Sequence, residues 1–244
     1  VMYRGSPRLN QGTATWDTGC QIDRYASIVI LVKVQTSSIV AVPLRRRIMP
    51  RTRRVVYPGC VYHITQRGND HMDVFLNRQD FMTYIVIAKK AFVRFDIRLL
   101  AFCLMTNHIH LLAIPGHEDS LGKGIGNIHF KYARYFNRRH GHTDHVWKGR
   151  FSSVRIEEND FWDVALYVEQ NPMRAGLCPH ALDYTWSSAR THCTADHRTD
   201  LLDLDWWRTR MDPDIWRRKL DIAQQDELLD RIRRSTAKGE WQKE

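Results

Sequence analysis

Apolar and polar positions recur along this chain in two rhythms, and the rhythm separates helices from strands. Between Arg78 and Arg94, Phe81, Ile85, Ala88 and Phe92 return at three- and four-residue intervals, which predicts an amphipathic helix. Two apolar runs follow, at about Ile97–Met105 and His108–Ile114. They read as strands joined tightly at Thr106-Asn107, the second stopped by Pro115-Gly116. An earlier strand is expected at Cys60–Gln66, with a turn at Gly68-Asn69-Asp70. A long helix is expected from Leu121 to Arg139, with Asp119 or Ser120 as its cap. Beyond Gly141 comes a short strand at Phe151–Ile156. A helix from Phe161 to Gln170 follows, capped by Asp160 and ended at Asn171-Pro172. The order β-α-β-β-α-β-α predicts an α+β fold, a small antiparallel sheet with helices packed on it.

The first 48 residues lack this order. Gly, Thr, Ser and Gln dominate Tyr3–Ser38, interrupted only by the apolar stretch Ile28–Val32, and six arginines fall within 45–54. The expected division is an extension with little stable structure at 1–48, a domain at 49–190 starting from Met49, and a basic, helical appendage at 191–244. Asp226–Arg234 has the pattern of a charged terminal helix, in an appendage that either docks on the domain or binds nucleic acid.

Charge narrows the partners. Thirty-seven Lys and Arg against 27 Asp and Glu give +10 and an isoelectric point near 9.6, pointing to a polyanion and to nucleic acid ahead of a membrane surface. The arginine run at 45–54 suits a phosphate-binding arm without sequence specificity. Cys20, Cys60, Cys103, Cys178 and Cys193 form no C-x-x-C pair, so neither a zinc knuckle nor a disulfide framework is indicated and a cytoplasmic setting fits. No apolar run is long enough to span a bilayer.

Candidate chemistry centres on His108-Ile109-His110. On a strand, residues two apart share a face, so both imidazoles project together while Ile109 and Leu111 turn into the core. That pair is half of a metal site; a core histidine beside an edge histidine would give the same pattern. On the last helix, Tyr167 and Asn171 are four apart and share one face. A phenol with a pKa of about 10 becomes a nucleophile only beside a metal or base. The Asn171 amide oxygen is a hard ligand, better suited to Mg²⁺ or Mn²⁺ than to Zn²⁺.

Six blocks in order carry a resemblance: Pro58–Asn69, Met105–Leu112, Tyr132–Asn137, Trp147–Phe151, Tyr167–Leu177 and Trp186–Ser188. Across Met49–Trp207 the chain resembles the single-tyrosine HUH transposases (H for histidine, U for a bulky apolar residue), and within them the REP-associated tyrosine transposases. The resemblance implies a ferredoxin-like HUH domain acting on single-stranded or hairpin DNA. It implies His108, His110 and Asn171 as ligands of Mg²⁺ or Mn²⁺, and Tyr167 as the nucleophile that forms a 5′-phosphotyrosine link. Thr106 stands where the family usually has proline, which changes the tightness of the hairpin. His63 matches a recurrent family position and is expected to give the site support at most.

The cations Arg67, Lys131, Arg134, Arg138, Lys148 and Arg150, with Trp147 as a stacking aromatic, are the expected DNA contacts. Phe136 and one of Tyr132 and Tyr135 are expected in the core. Three functions compete: a strand-transferring transposase, a metal-dependent phosphodiesterase using water, and a catalytically silent hairpin-binding protein. Tyr167 is dispensable in the second. A homodimer, with the tyrosine acting within or across subunits, is left open.

Overall fold

The computed structural model describes residues 29–33, 39–43, 55–194 and 200–241, in two units divided at Thr52. In the first, strands β1 (Val29–Lys33) and β2 (Ile39–Pro43) pair antiparallel, Val29 opposite Pro43 and Lys33 opposite Ile39. The apolar run expected to stay unstructured thus has a second β-branched run to pair with. Met49 and the whole arginine run at 45–54 lie outside the described residues.

The second unit is built on a four-stranded antiparallel sheet of β3 (Tyr62–Arg67), β4 (Ile97–Leu104), β5 (His108–Pro115) and β6 (Ser152–Arg155). Their order is β4-β5-β3-β6. The α+β architecture expected from the hydrophobic pattern is the one observed. Both faces of the sheet are covered. Tyr62, Ile64, Phe102, Leu104, Ile109 and Leu111 pack on one side against α1 (Arg78–Arg94) and α2 (Ser120–His140). Ala101, Cys103, Leu112 and Val154 face the other way, against α3 (Phe161–Glu169) and the C-terminal helices. A bulge between Leu99 and Ala101 lets the consecutive residues Leu100 and Ala101 both join the second core, while Leu99 stays with the first.

Helix α1 begins and ends where its periodicity places it. Its start is a capping box: Asn77 Oδ1 accepts from the Gln79 and Asp80 amides, while Asp80 Oδ2 accepts from the Asn77 amide. Asp80, fully buried, also accepts from Tyr135 Oη at 3.0 Å and meets His140 Nε2 at 3.1 Å, joining α1 to α2. Gly124 of α2 lies close against the sheet: a Cβ there would lie 2.4 Å from Ile97 Cδ1, and that side chain would have to move.

Two expected caps are replaced by other bonds. Asp119 pairs with Lys123, and Ser120 Oγ accepts from the His117 amide. Asp160 accepts from Arg231 at 2.9 Å and from Trp241 Nε1 at 2.7 Å. In each case another partner claims the side chain that a cap would use. Nor does Pro172 end the helical path: α3 stops at Glu169, and α4 (Asn171–Arg174) takes the proline in its first turn, where no N–H is needed.

The C-terminal segment docks on the domain. Helices α5 (Ala189–His192), α6 (Leu204–Arg208), α7 (Pro213–Leu220) and α8 (Asp226–Lys238) bury Trp207, Trp216, Leu220, Leu229 and Ile232 beside α3. The four described cysteines are free, and no described helix is long and apolar enough to cross a membrane.

Candidate active site

Strand β5 sends His108 and His110 to the face covered by α3, with Arg67 and Thr65 of β3 opposite them in register. The imidazole centroids are 5.1 Å apart at 79°. Asn107 Oδ1 lies 2.6 Å from His108 Nδ1, and Asn107 Nδ2 donates to His71 O at 3.4 Å. With the amide so oriented, Oδ1 faces the ring, His108 carries its proton on Nδ1, and Nε2 is left with a lone pair. His63, on β3, stacks on His110 with 2.9 Å between His63 Nε2 and His110 Nδ1. Burial makes charging these rings costly: it lowers His108 to a pKa of about 4 and His110 well below the ordinary value.

Helix α3 places Tyr167 over this pair. Its ring meets His110 edge-on at 5.7 Å and His63 at 6.1 Å, with 8% of the residue exposed. Asn171, one turn on, donates through Nδ2 to the Tyr167 carbonyl at 3.1 Å, which leaves Oδ1 as its acceptor. Arg174 closes the other side. Its guanidinium lies 4.4 Å from the Tyr167 ring centroid and donates through Nη2 to the same carbonyl. Burial lowers its pKa to about 10, so it stays cationic at neutral pH, and its buried Nη1 has no hydrogen-bond partner among the described residues.

These groups open into one cavity of about 620 Å³ that also takes in Arg67, Lys148, Arg150 and, from α8, Arg233. The loop carrying Lys148 and Arg150 is tied to β3 through Lys148 N to Arg67 O at 2.9 Å and Gln66 Nε2 to Gly149 O at 3.2 Å. Gly149 makes that turn at φ +65°. No carboxylate among the described residues lines the cavity. Among the described residues no group of three His, Cys, Asp or Glu could hold a metal. The available donors are two neutral imidazoles and one amide oxygen, which fit a hard divalent cation that completes its shell with water or phosphate oxygens.

His108, His110, Tyr167, Asn171, Arg67, Lys148 and Arg150, separated in sequence, therefore meet in one cavity. Lys131, Arg134 and Arg138 do not: they are exposed on α2, which covers the opposite face. Trp147 is corrected as a DNA contact. It is buried, donates through Nε1 to His129 O at 3.1 Å and packs against His129 and Tyr132, so it has no free face for a base. Tyr132 and Phe136 are core, while Tyr135 is half-buried. Arg174 was missed as a site residue; it lies seven residues after Tyr167, two turns along one face, and that spacing was the available signal.

Residues 56–171 match the family model for IS200-like transposases. The matched span, a little under half of the chain, contains both histidines, Tyr167 and Asn171. Among solved structures, the chain is similar to a REP-associated tyrosine transposase bound to a REP hairpin, with a TM-score of 0.51 and 18% identity. The alignment covers 63% of this chain and 90% of that one, and it supports the fold. A Deinococcus radiodurans structure, described as a candidate transposase, aligns over 50% of this chain and 97% of its own, at TM-score 0.36 and 18% identity. No curated protein matched the chain.

Proposed function

We propose that this protein cleaves and rejoins single-stranded DNA, at hairpin-bearing sites, through a covalent link to Tyr167. The observation that carries this is the meeting of a tyrosine, two imidazoles and an amide oxygen in one cavity that the described residues line with cations and no carboxylate. His108, His110 and Asn171 would hold Mg²⁺ or Mn²⁺. The bound ion supplies Lewis-acid polarisation of the scissile phosphate. Arg67, Lys148 and Arg150 neutralise backbone phosphates and hold the strand at the cavity. Tyr167 Oη attacks phosphorus, losing its proton as the new P–O bond forms. The P–O3′ bond breaks, and the departing 3′ oxygen takes up a proton. Attack by another 3′-hydroxyl on the phosphotyrosine reverses the step and joins strands, so bond energy is conserved.

The test incubates the full chain with Mn²⁺ and 5′- or 3′-labelled hairpin oligonucleotides. A denaturation-resistant adduct retaining the 3′-side label, abolished by EDTA, is expected. Cleavage without an adduct would favour a water nucleophile, and binding without cleavage a silent binder; either overturns the reading.

Arg174 lies over the Tyr167 ring, 4.4 Å from its centroid, where its positive charge would offset the charge that develops on the phenolic oxygen and on the phosphate. Arg174→Met keeps most of the bulk and removes the cation. The single-turnover rate of adduct formation is expected to fall by roughly 10²–10³-fold, as when one preorganised donor is lost, with oligonucleotide affinity changed far less. An unchanged rate would show that the guanidinium serves packing alone.

A further inference from the structure

We propose that His63 and Thr236 form a positioning relay that fixes which nitrogen His110 offers to the metal, making helix α8 part of the ligand site. The inference rests on the assignment of His110 as a ligand.

His63 is 1% exposed, and each of its ring nitrogens has a partner. Nε2 lies 2.9 Å from His110 Nδ1, and Nδ1 lies 3.3 Å from Thr236 Oγ1. The Thr236 hydroxyl donates to Ile232 O at 2.8 Å. A hydroxyl has one hydrogen, so toward His63 this oxygen can only accept. His63 must then carry its proton on Nδ1. A buried imidazole without a carboxylate partner is neutral, so that is its one proton and Nε2 is a bare acceptor. Only one hydrogen fits between the two rings, and it must sit on His110 Nδ1. Neutral His110 is thereby left with its lone pair on Nε2. Each bond dictates the next, from the helix to the strand.

The far end of the relay is anchored. Ser152 Oγ donates to Thr236 O at 2.8 Å, Arg231 binds Asp160 at 2.9 Å, and Leu229 and Ile232 are buried in the core beneath α3. A ligating histidine whose second nitrogen is held has its tautomer and ring orientation set before the ion arrives. Asn107 performs this task for His108 from the adjacent residue. For His110 the task is performed from 126 positions downstream, the interval between His110 and Thr236.

The test uses the full chain with Thr236→Val, which keeps the shape and removes the acceptor, and Thr236→Ser, which keeps the hydroxyl. Mn²⁺ affinity, followed by electron paramagnetic resonance, is expected to fall about 10-fold or more in Thr236→Val and to recover in Thr236→Ser. Long-range ¹H–¹⁵N imidazole spectra of the metal-free protein should show His110 protonated on Nδ1 in wild type, with that tautomer no longer dominant in Thr236→Val. Should Thr236→Val fold poorly, the wild-type spectrum still decides: an Nε2–H tautomer of His110 overturns the relay. Wild-type Mn²⁺ binding that Thr236→Val leaves unchanged overturns the relay but not the ligand assignment. Wild-type protein whose Mn²⁺ affinity is indifferent to His110→Ala overturns both.

Discussion

Tyr167→Phe is expected to eliminate the covalent protein–DNA adduct while leaving the fold and the ion-binding groups intact. The ring packs edge-on against His110 and His63 and under the Arg174 guanidinium, contacts that a phenyl ring reproduces. The backbone carbonyl that accepts from Asn171 and Arg174 is untouched. Only the hydroxyl is lost, and with it the nucleophile. The rate of strand cleavage should drop on the order of 10⁴-fold or more, as for removal of other covalent nucleophiles. The thermal midpoint and Mn²⁺ affinity should stay at wild-type values. Denaturing gels with labelled hairpin oligonucleotides make the measurement, and adduct formation at the wild-type rate would remove Tyr167 from the mechanism.

The second large effect concerns stability. Glu169, two residues after Tyr167, is fully buried and accepts from three groups: Ser188 Oγ, His192 Nδ1 at 2.6 Å and Trp216 Nε1 at 2.8 Å. His192 in turn lies flat on Trp207, with 3.5 Å between centroids, and Ser188 accepts from the Phe102 amide of β4. Glu169→Ala would strand these donors in a dry interior and leave a void. A loss of about 3–5 kcal/mol is expected, within what three buried donors left unsatisfied at roughly 1–3 kcal/mol each would cost. Glu169→Gln, which keeps an acceptor for Trp216, should lose less. Urea midpoints measure both; a Glu169→Ala midpoint within error of wild type would show that the three donors find other partners.

What was legible in the sequence was local or periodic. Helix α1 could be bounded because its capping box and its apolar spacing agree. The His108 and His110 pair could be placed on one face because strand alternation is fixed by backbone geometry. Tyr167 with Asn171 followed from helical spacing. What escaped depends on partners distant in sequence. Asp160 looked like a cap because nothing nearby reveals that Arg231 and Trp241 will claim it. Trp147 followed a cation-rich pattern, yet its indole is used by His129, eighteen residues away. His63 sits in an ordinary strand and acquires meaning only through Thr236 and His110. Glu169 reads as one letter of a helix; its role is written by residues 188, 192 and 216.

The clamp on α3 also sets an order in time. Tyr167 is emitted from the ribosome well before the residues that hold its helix. Trp216 reaches back to Glu169, and Gln170 Nε2 bonds the carbonyls of Leu220 and Ile222 at 2.9 and 2.8 Å. A nascent chain that has passed Asn171 holds every proposed ligand and the proposed nucleophile, yet lacks the struts that aim them. On the proposed mechanism, cutting competence would come no sooner than about fifty residues after the last proposed ligand, the span between Gln170 and Ile222, and α8 follows later still.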